Sequence, residues 1–186
     1  MTMQIETSHV GSLPRSKKVV DFIFAREKEQ AYDQIAFDET MKEAVELTVK
    51  KQKDAGITIA SDGETSKISY ATYVKDRFHG FGGDSPRNAP ADLKLFPTYL
   101  EKLANDGGTP KYARPMCIDK LVSKNSNDLD KDISNLSLSI KNNSIKKGFM
   151  NSASPGVISL FLQNQYYPNR ESYLEALSFL MKDEYE

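Results

Sequence analysis

Ile57-Thr-Ile-Ala-Ser-Asp-Gly-Glu64 is the stretch on which the fold turns. Its first residues are apolar and β-branched and read as a short strand. Its last residues carry two carboxylates around a glycine and read as a strand end opening into a loop. Immediately upstream, Met41, Ala44, Val45, Thr48, Val49 and Gln52 recur at the i, i+3, i+4 spacing of a helix that begins near Asp38. That helix stops at Ala55-Gly56, a glycine placed where helices commonly end. A helix feeding a strand is part of a β/α repeat, so the flanking sequence decides how many repeats there are.

Toward the amino terminus, Met3 to His9 alternates weakly and runs into Val10-Gly-Ser-Leu-Pro-Arg15, a strand followed by a glycine-containing loop. Ser16 is placed to cap a short helix carrying Val19, Val20, Ile23 and Phe24. Downstream, residues 70–78 read as helical and residues 79–90, rich in Gly and Pro, as a loop. Leu93, Phe96, Tyr99, Leu100 and Leu103 mark another helix, closed by Asp106-Gly-Gly108. Residues 111–122 read as extended, broken at Arg114-Pro115, within an extended or hairpin insertion around 109–124. Asp128 is read as the cap of a helix bearing Leu129, Ile133, Leu136 and Ile140. Residues 148–154 form a third core strand, Pro155 opens a helical turn, and Asn169 caps a last helix with Tyr173, Leu174, Leu177, Leu180 and Met181.

Strands alternating with helices imply parallel pairing and an α/β fold. A TIM (β/α)8 barrel takes about 250 residues. The 186 residues here are expected to supply roughly its first three or four β/α units, as one domain over 1–186.

Composition narrows the function. With 39% hydrophobic and 27% charged residues and a formal net charge of −1, nothing favours nucleic acid or a membrane surface as partner. There is no apolar run of about 18 residues and no basic-then-apolar leader, so a cytoplasmic protein is expected. One cysteine, Cys117, excludes an intrachain disulfide. The two histidines, His9 and His79, form no HxxxH or HxC spacing, so no zinc site is expected within these residues.

In barrels, chemistry sits at the carboxyl ends of the strands. The polar and glycine residues fall there: His9 to Arg15, Asp62-Gly63-Glu64, and Asn151 to Pro155. Gly11 lets a backbone amide approach a ligand and Ser12 adds a hydroxyl for a carboxylate, or the pair is a bare turn. Glu64 either binds an α-ammonium group or caps the next helix. His9 is a base, a ligand or a packing histidine. Arg15 binds an anion or is a solvated charge. No Walker loop, GxGxxG or GxSxG is present.

Taken together, Ser8-His-Val-Gly-Ser-Leu-Pro-Arg15, Ser61-Asp-Gly-Glu64, Gly80-Phe81, Arg114-Pro115 and Ser152-Ala-Ser-Pro-Gly-Val-Ile-Ser159 resemble the catalytic barrel of cobalamin-independent methionine synthase. The chain looks most like the shorter single-barrel relatives, the 5-methyltetrahydropteroyltriglutamate–homocysteine methyltransferase-like proteins. The resemblance implies methyl transfer from methyl-tetrahydrofolate to the zinc-bound thiolate of homocysteine, in methionine biosynthesis. Zinc holds that sulfur deprotonated. It also implies that Val10, Gly11 and Ser12 hold the amino acid's carboxylate and Glu64 its ammonium; His9, Arg15 and Asp62, at the same strand ends, are additional candidates from their position alone. On the folate side it points to Lys111, Tyr112, Arg114 and Phe161. The first two stand where the family has an Arg-Cys pair, and Phe161 where it has a stacking tryptophan.

The family's zinc ligands lie in its second half and have no counterpart here, so the chain alone is expected to be inactive and to be a fragment, a truncated product or half of a split protein. Two other readings accompany this one: a related thiol alkyltransferase using coenzyme M or a corrinoid donor, and a non-catalytic half-barrel. The expected partners are homocysteine and methylfolate, with self-association or a complementing carboxyl-terminal half covering the open sheet edge.

Overall fold

Helix-capping residues set the punctuation of the chain in the computed structural model, which describes residues 5–85, 91–106 and 113–186. Ser16 Oγ accepts from Val19 N and starts α1 (Lys17–Glu27). Asp33 accepts from Ile35 N and Ala36 N, so α2 (Gln34–Asp54) begins four residues earlier than its apolar stripe suggests. There follow β1 (Ile59–Ser61), α3 (Val74–Arg77), β2 (Phe78–Gly82), a 3₁₀ turn (Leu93–Leu95), α4 (Pro97–Asp106), β3 (Met116–Ser123), α5 (Asp128–Asn142), β4 (Lys147–Phe149), α6 (Pro155–Phe161) and α7 (Arg170–Tyr185). Ser154 caps α6 ahead of Pro155, and Asn169 caps α7 through Ser172 N, as their residue types predict. Asp128 is the first residue of α5 rather than its cap, which is Asn127.

Strands β1 and β4 pair in parallel, with Ala60 opposite Gly148. On the other side of β1, Thr58 N and Ile59 N both donate to Thr7 O, and Ser8 bridges Ile59 in parallel. The three expected core strands therefore lie side by side in chain order, first segment, β1, β4. Their ladders are shorter than the sequence suggests: 148–154 narrows to Lys147–Phe149, and Asn151 onward is a loop. These three segments and their helices make a mixed α/β fold, and no closed barrel forms among the described residues.

The second sheet departs from expectation. Residues 78–82, read as helix end and loop, form strand β2, antiparallel to β3, with Phe78 opposite Ser123 and Gly82 opposite Met116. The register shifts between His79 and Phe81. There Gly80 has φ +97°, and a Cβ would stand 2.8 Å from Lys120 O. This bulge needs a glycine, and that glycine made the segment look like a loop.

Three apolar clusters hold the elements. Tyr73, Val74, Phe78, Cys117, Leu121, Ile158, Leu162, Tyr173, Leu177 and Met181 join the antiparallel pair to α6 and α7. Val19, Ile23, Phe37, Met41 and Ile68 join α1 to α2. Val45, Val49, Ala60 and Leu136 seat α2 and α5 on β1. Burial pushes the Cys117 thiol up to about 11, consistent with an inert core residue. No helix among the described residues is long and apolar enough to cross a membrane.

Candidate functional site

The end of β1 is shaped by a side chain from α2. Gln52 Nε2 donates to Ser61 O at 2.8 Å, and Gln52 Oε1 accepts from Ser61 N at 3.0 Å, so an amide replaces the next strand partner. The chain then turns sharply. Asp62 Oδ1 accepts from Glu64 N at 3.1 Å, Thr65 Oγ1 donates to Asp62 O at 2.7 Å, and Gly63 and Glu64 both adopt positive φ, +63° and +55°. A glutamate in the left-handed region costs about 1 kcal/mol and persists only where its surroundings hold it there.

Arg15 is what holds it. From the loop after the first segment, its Nη2 donates to Glu64 O at 2.6 Å and Lys67 O at 2.8 Å, and its Nε donates to Thr65 O at 3.2 Å. Leu13 N adds a bond to Gly63 O at 3.1 Å. Burial pulls the Arg15 guanidinium below its ordinary value, with Glu64 and Asp62 pulling it back. Burial likewise pushes the Asp62 carboxyl above its ordinary range, against the opposing influence of Lys67 and the Glu64 N–H.

The result is a meeting of three strand ends on one carboxylate. Ser12 Oγ donates to Glu64 Oε2 at 2.5 Å, and Asn151 Nδ2 donates to Glu64 Oε1 at 3.0 Å. Glu64 is only 2% exposed, whereas Ser12 stands at the surface. Of the sequence candidates, Ser12, Arg15, Asp62 and Glu64 come together here. Gly11 is next to them, at φ +93° with open space where a side chain would stand. The Val10 side chain points to solvent, and His9 lines a separate cleft against α2 with Arg15, Thr48 and Lys51.

Sequence reasoning passed over two members. Asn151 fell within a flagged strand end, yet nothing singled it out from its neighbours. Lys67, three residues beyond Glu64, reads as a surface charge but is 2% exposed.

A second group forms around Phe161. The Arg114 guanidinium lies 5.5 Å from the centroid of Phe161, and Tyr70 meets the same ring edge-on at 5.4 Å. Two residues 47 positions apart are thus brought together, and Tyr70, unforeseen, joins them. The buried Arg114 Nε has no hydrogen-bond partner among the described residues. Lys111 and Tyr112 lie outside the described residues. Among the described residues no group of three His, Cys, Asp or Glu side chains is placed to hold a metal ion, so these residues do not fit zinc.

No protein-family model matches the chain, and no curated protein matches it in sequence. In structure it is similar to a B12-independent methionine synthase from Shewanella sp. W3-18-1, solved in complex with selenomethionine. The TM-score is 0.66 at 18% identity, over 96% of this chain and 46% of that one. The chain therefore spans less than half the length of that protein, and at this identity the likeness is one of fold.

Proposed function

We propose that this chain is the amino-acid-holding part of a methyltransferase of the cobalamin-independent methionine synthase type, with homocysteine as acceptor. Its three parallel segments would then be the first strands of a (β/α)8 barrel. The observation that carries the reading is the convergence of Ser12, Glu64 and Asn151 from three successive strand ends. The structural neighbour binds selenomethionine, an amino acid carrying the same ammonium and carboxylate groups as homocysteine, which supports the choice of ligand.

In this reading the homocysteine ammonium donates to Glu64, and the Ser12 hydroxyl rotates away to make room. Ser12 and the amides around Val10 and Gly11 then face the ligand's carboxylate. His9 stays outside this group. Arg15 and Asp62 set the turn without touching the ligand. Methyl-tetrahydrofolate is proposed as donor, its flat ring against Phe161 and an acceptor atom on Arg114 Nε, which has no partner among the described residues. Zinc would hold the acceptor sulfur deprotonated, but the described residues do not fit it.

One observation favours a second reading. Both oxygens of Glu64 already accept from the chain's own donors, and the carboxylate is almost fully buried. In that case the three residues are a clasp that joins strand ends in a non-catalytic half-barrel. Calorimetric titration separates the two. Under the first, homocysteine binds and 4-mercaptobutyrate, the same thiol acid without the amino group, binds about 10–100-fold more weakly, since a charge-assisted hydrogen bond contributes about 1.5–3 kcal/mol. Glu64→Gln abolishes that preference. Equal binding of the two ligands, or none, supports the clasp.

A further inference from the structure

Lys67 is buried at 2% exposure beside the apolar cluster that contains Tyr73. Its Nζ donates to the backbone carbonyl of Asn151 at 2.6 Å and lies 4.5 Å from the centroid of the Tyr73 ring. A buried ammonium is costly unless its charge and donors are met. Here the Asn151 carbonyl and the face of the Tyr73 ring meet it. The bond to Asn151 spans 84 residues of sequence and ties the end of β1 to the end of β4.

The connection closes on itself. Asn151 returns its side-chain amide to Glu64, Lys67 N donates to Glu64 O at 3.1 Å, and Arg15 donates to both Glu64 O and Lys67 O. The two donors on the Glu64 carboxylate therefore differ in kind. Ser12 is a surface hydroxyl on a single rotor. Asn151 is anchored through its main chain by a buried cation.

We infer that Lys67 is a positioning residue: by fixing Asn151 it holds the Glu64 carboxylate in one orientation, so that only the Ser12 side is released to an incoming ammonium. This rests on the amino-acid-binding reading. Lys67 itself touches no substrate.

The test uses the full chain. The side-chain amide signals of Asn151 are followed by ¹⁵N NMR in the wild type, Lys67→Met and Lys67→Arg, with Asn151→Ala to assign them, and homocysteine is titrated into each. Lys67→Met is expected to move the Asn151 amide signals toward those of free asparagine and to weaken homocysteine binding about tenfold. Lys67→Arg, which keeps charge and donors, restores both in part. If Lys67→Met does not fold, Lys67→Gln is read by the same criteria. Unchanged Asn151 signals in the neutral variant, with or without a fall in melting temperature, overturn the proposal. If the wild type binds no homocysteine, the amino-acid reading fails, and the amide signals alone decide whether Lys67 holds Asn151.

Discussion

Around the antiparallel pair β2–β3 the buried apolar side chains include Tyr73, Phe78, Cys117, Leu121, Leu162 and Leu177, with Arg77 buried beside them against Asp132. Around the carboxyl ends of the parallel pair β1–β4 they are Ser61, Asp62, Glu64, Thr65 and Lys67. The first region excludes water with apolar groups that stabilise wherever they pack. The second buries charges that lower stability unless every partner is in place. Stability explains the first set of residues. The second set is held instead by specific hydrogen bonds across strand ends, around a glutamate at positive φ.

That contrast breaks first in the apolar region if it is wrong. Leu177 of α7 is fully buried, and Leu177→Ala should lower stability by about 3 kcal/mol and the melting temperature by about 6–12 °C, leaving homocysteine affinity per folded molecule unchanged. Differential scanning calorimetry checks the first part and titration the second. Gly63→Ala comes next. Its φ is +63° and the new Cβ would stand 3.0 Å from Thr48 Cγ2 and 3.1 Å from Leu13 Cβ, so a loss of about 2 kcal/mol is expected together with weaker homocysteine binding. A loss of stability without a loss of binding would separate the turn from the site.

Asp62→Asn should act in the opposite direction. Burial raises the Asp62 carboxyl above its ordinary value in the folded chain, so the folded state binds a proton the unfolded state releases. The group's contribution is therefore most favourable below the ordinary carboxylate value near 4 and worsens as pH rises from there through the raised value. An amide removes that cost and can still accept from Glu64 N. Thermal melts should show Asp62→Asn more stable than the wild type at pH 7, with the gain vanishing below about pH 4. A gain that persisted in acid would mean the charge is not its source. The smallest effect is expected at Val10, 77% exposed, where Val10→Ala should change stability by less than about 0.5 kcal/mol.

How much of this was visible beforehand depends on where each residue's partner lies. Ser16, Ser154 with Pro155, and Asn169 act on amides within three residues, so their helices begin where local chemistry says. Strand β2 was hidden because its bulge requires Gly80 and its partner β3 is some 40 residues away, beyond any local signal. Ser12 and Glu64 stood out as polar residues at strand ends. Lys67 and Asn151 did not, because what makes them matter is each other. A lysine reads as solvated until a carbonyl 84 residues on is seen to bury it.

The most direct test of the central claim is a crystal structure of the chain with homocysteine bound. The account predicts the ligand's ammonium within hydrogen-bonding distance of the Glu64 carboxylate, the Ser12 hydroxyl turned toward the ligand's carboxylate, and Asn151 unmoved. Homocysteine seated elsewhere, with the Ser12–Glu64–Asn151 bonds all intact, would contradict it.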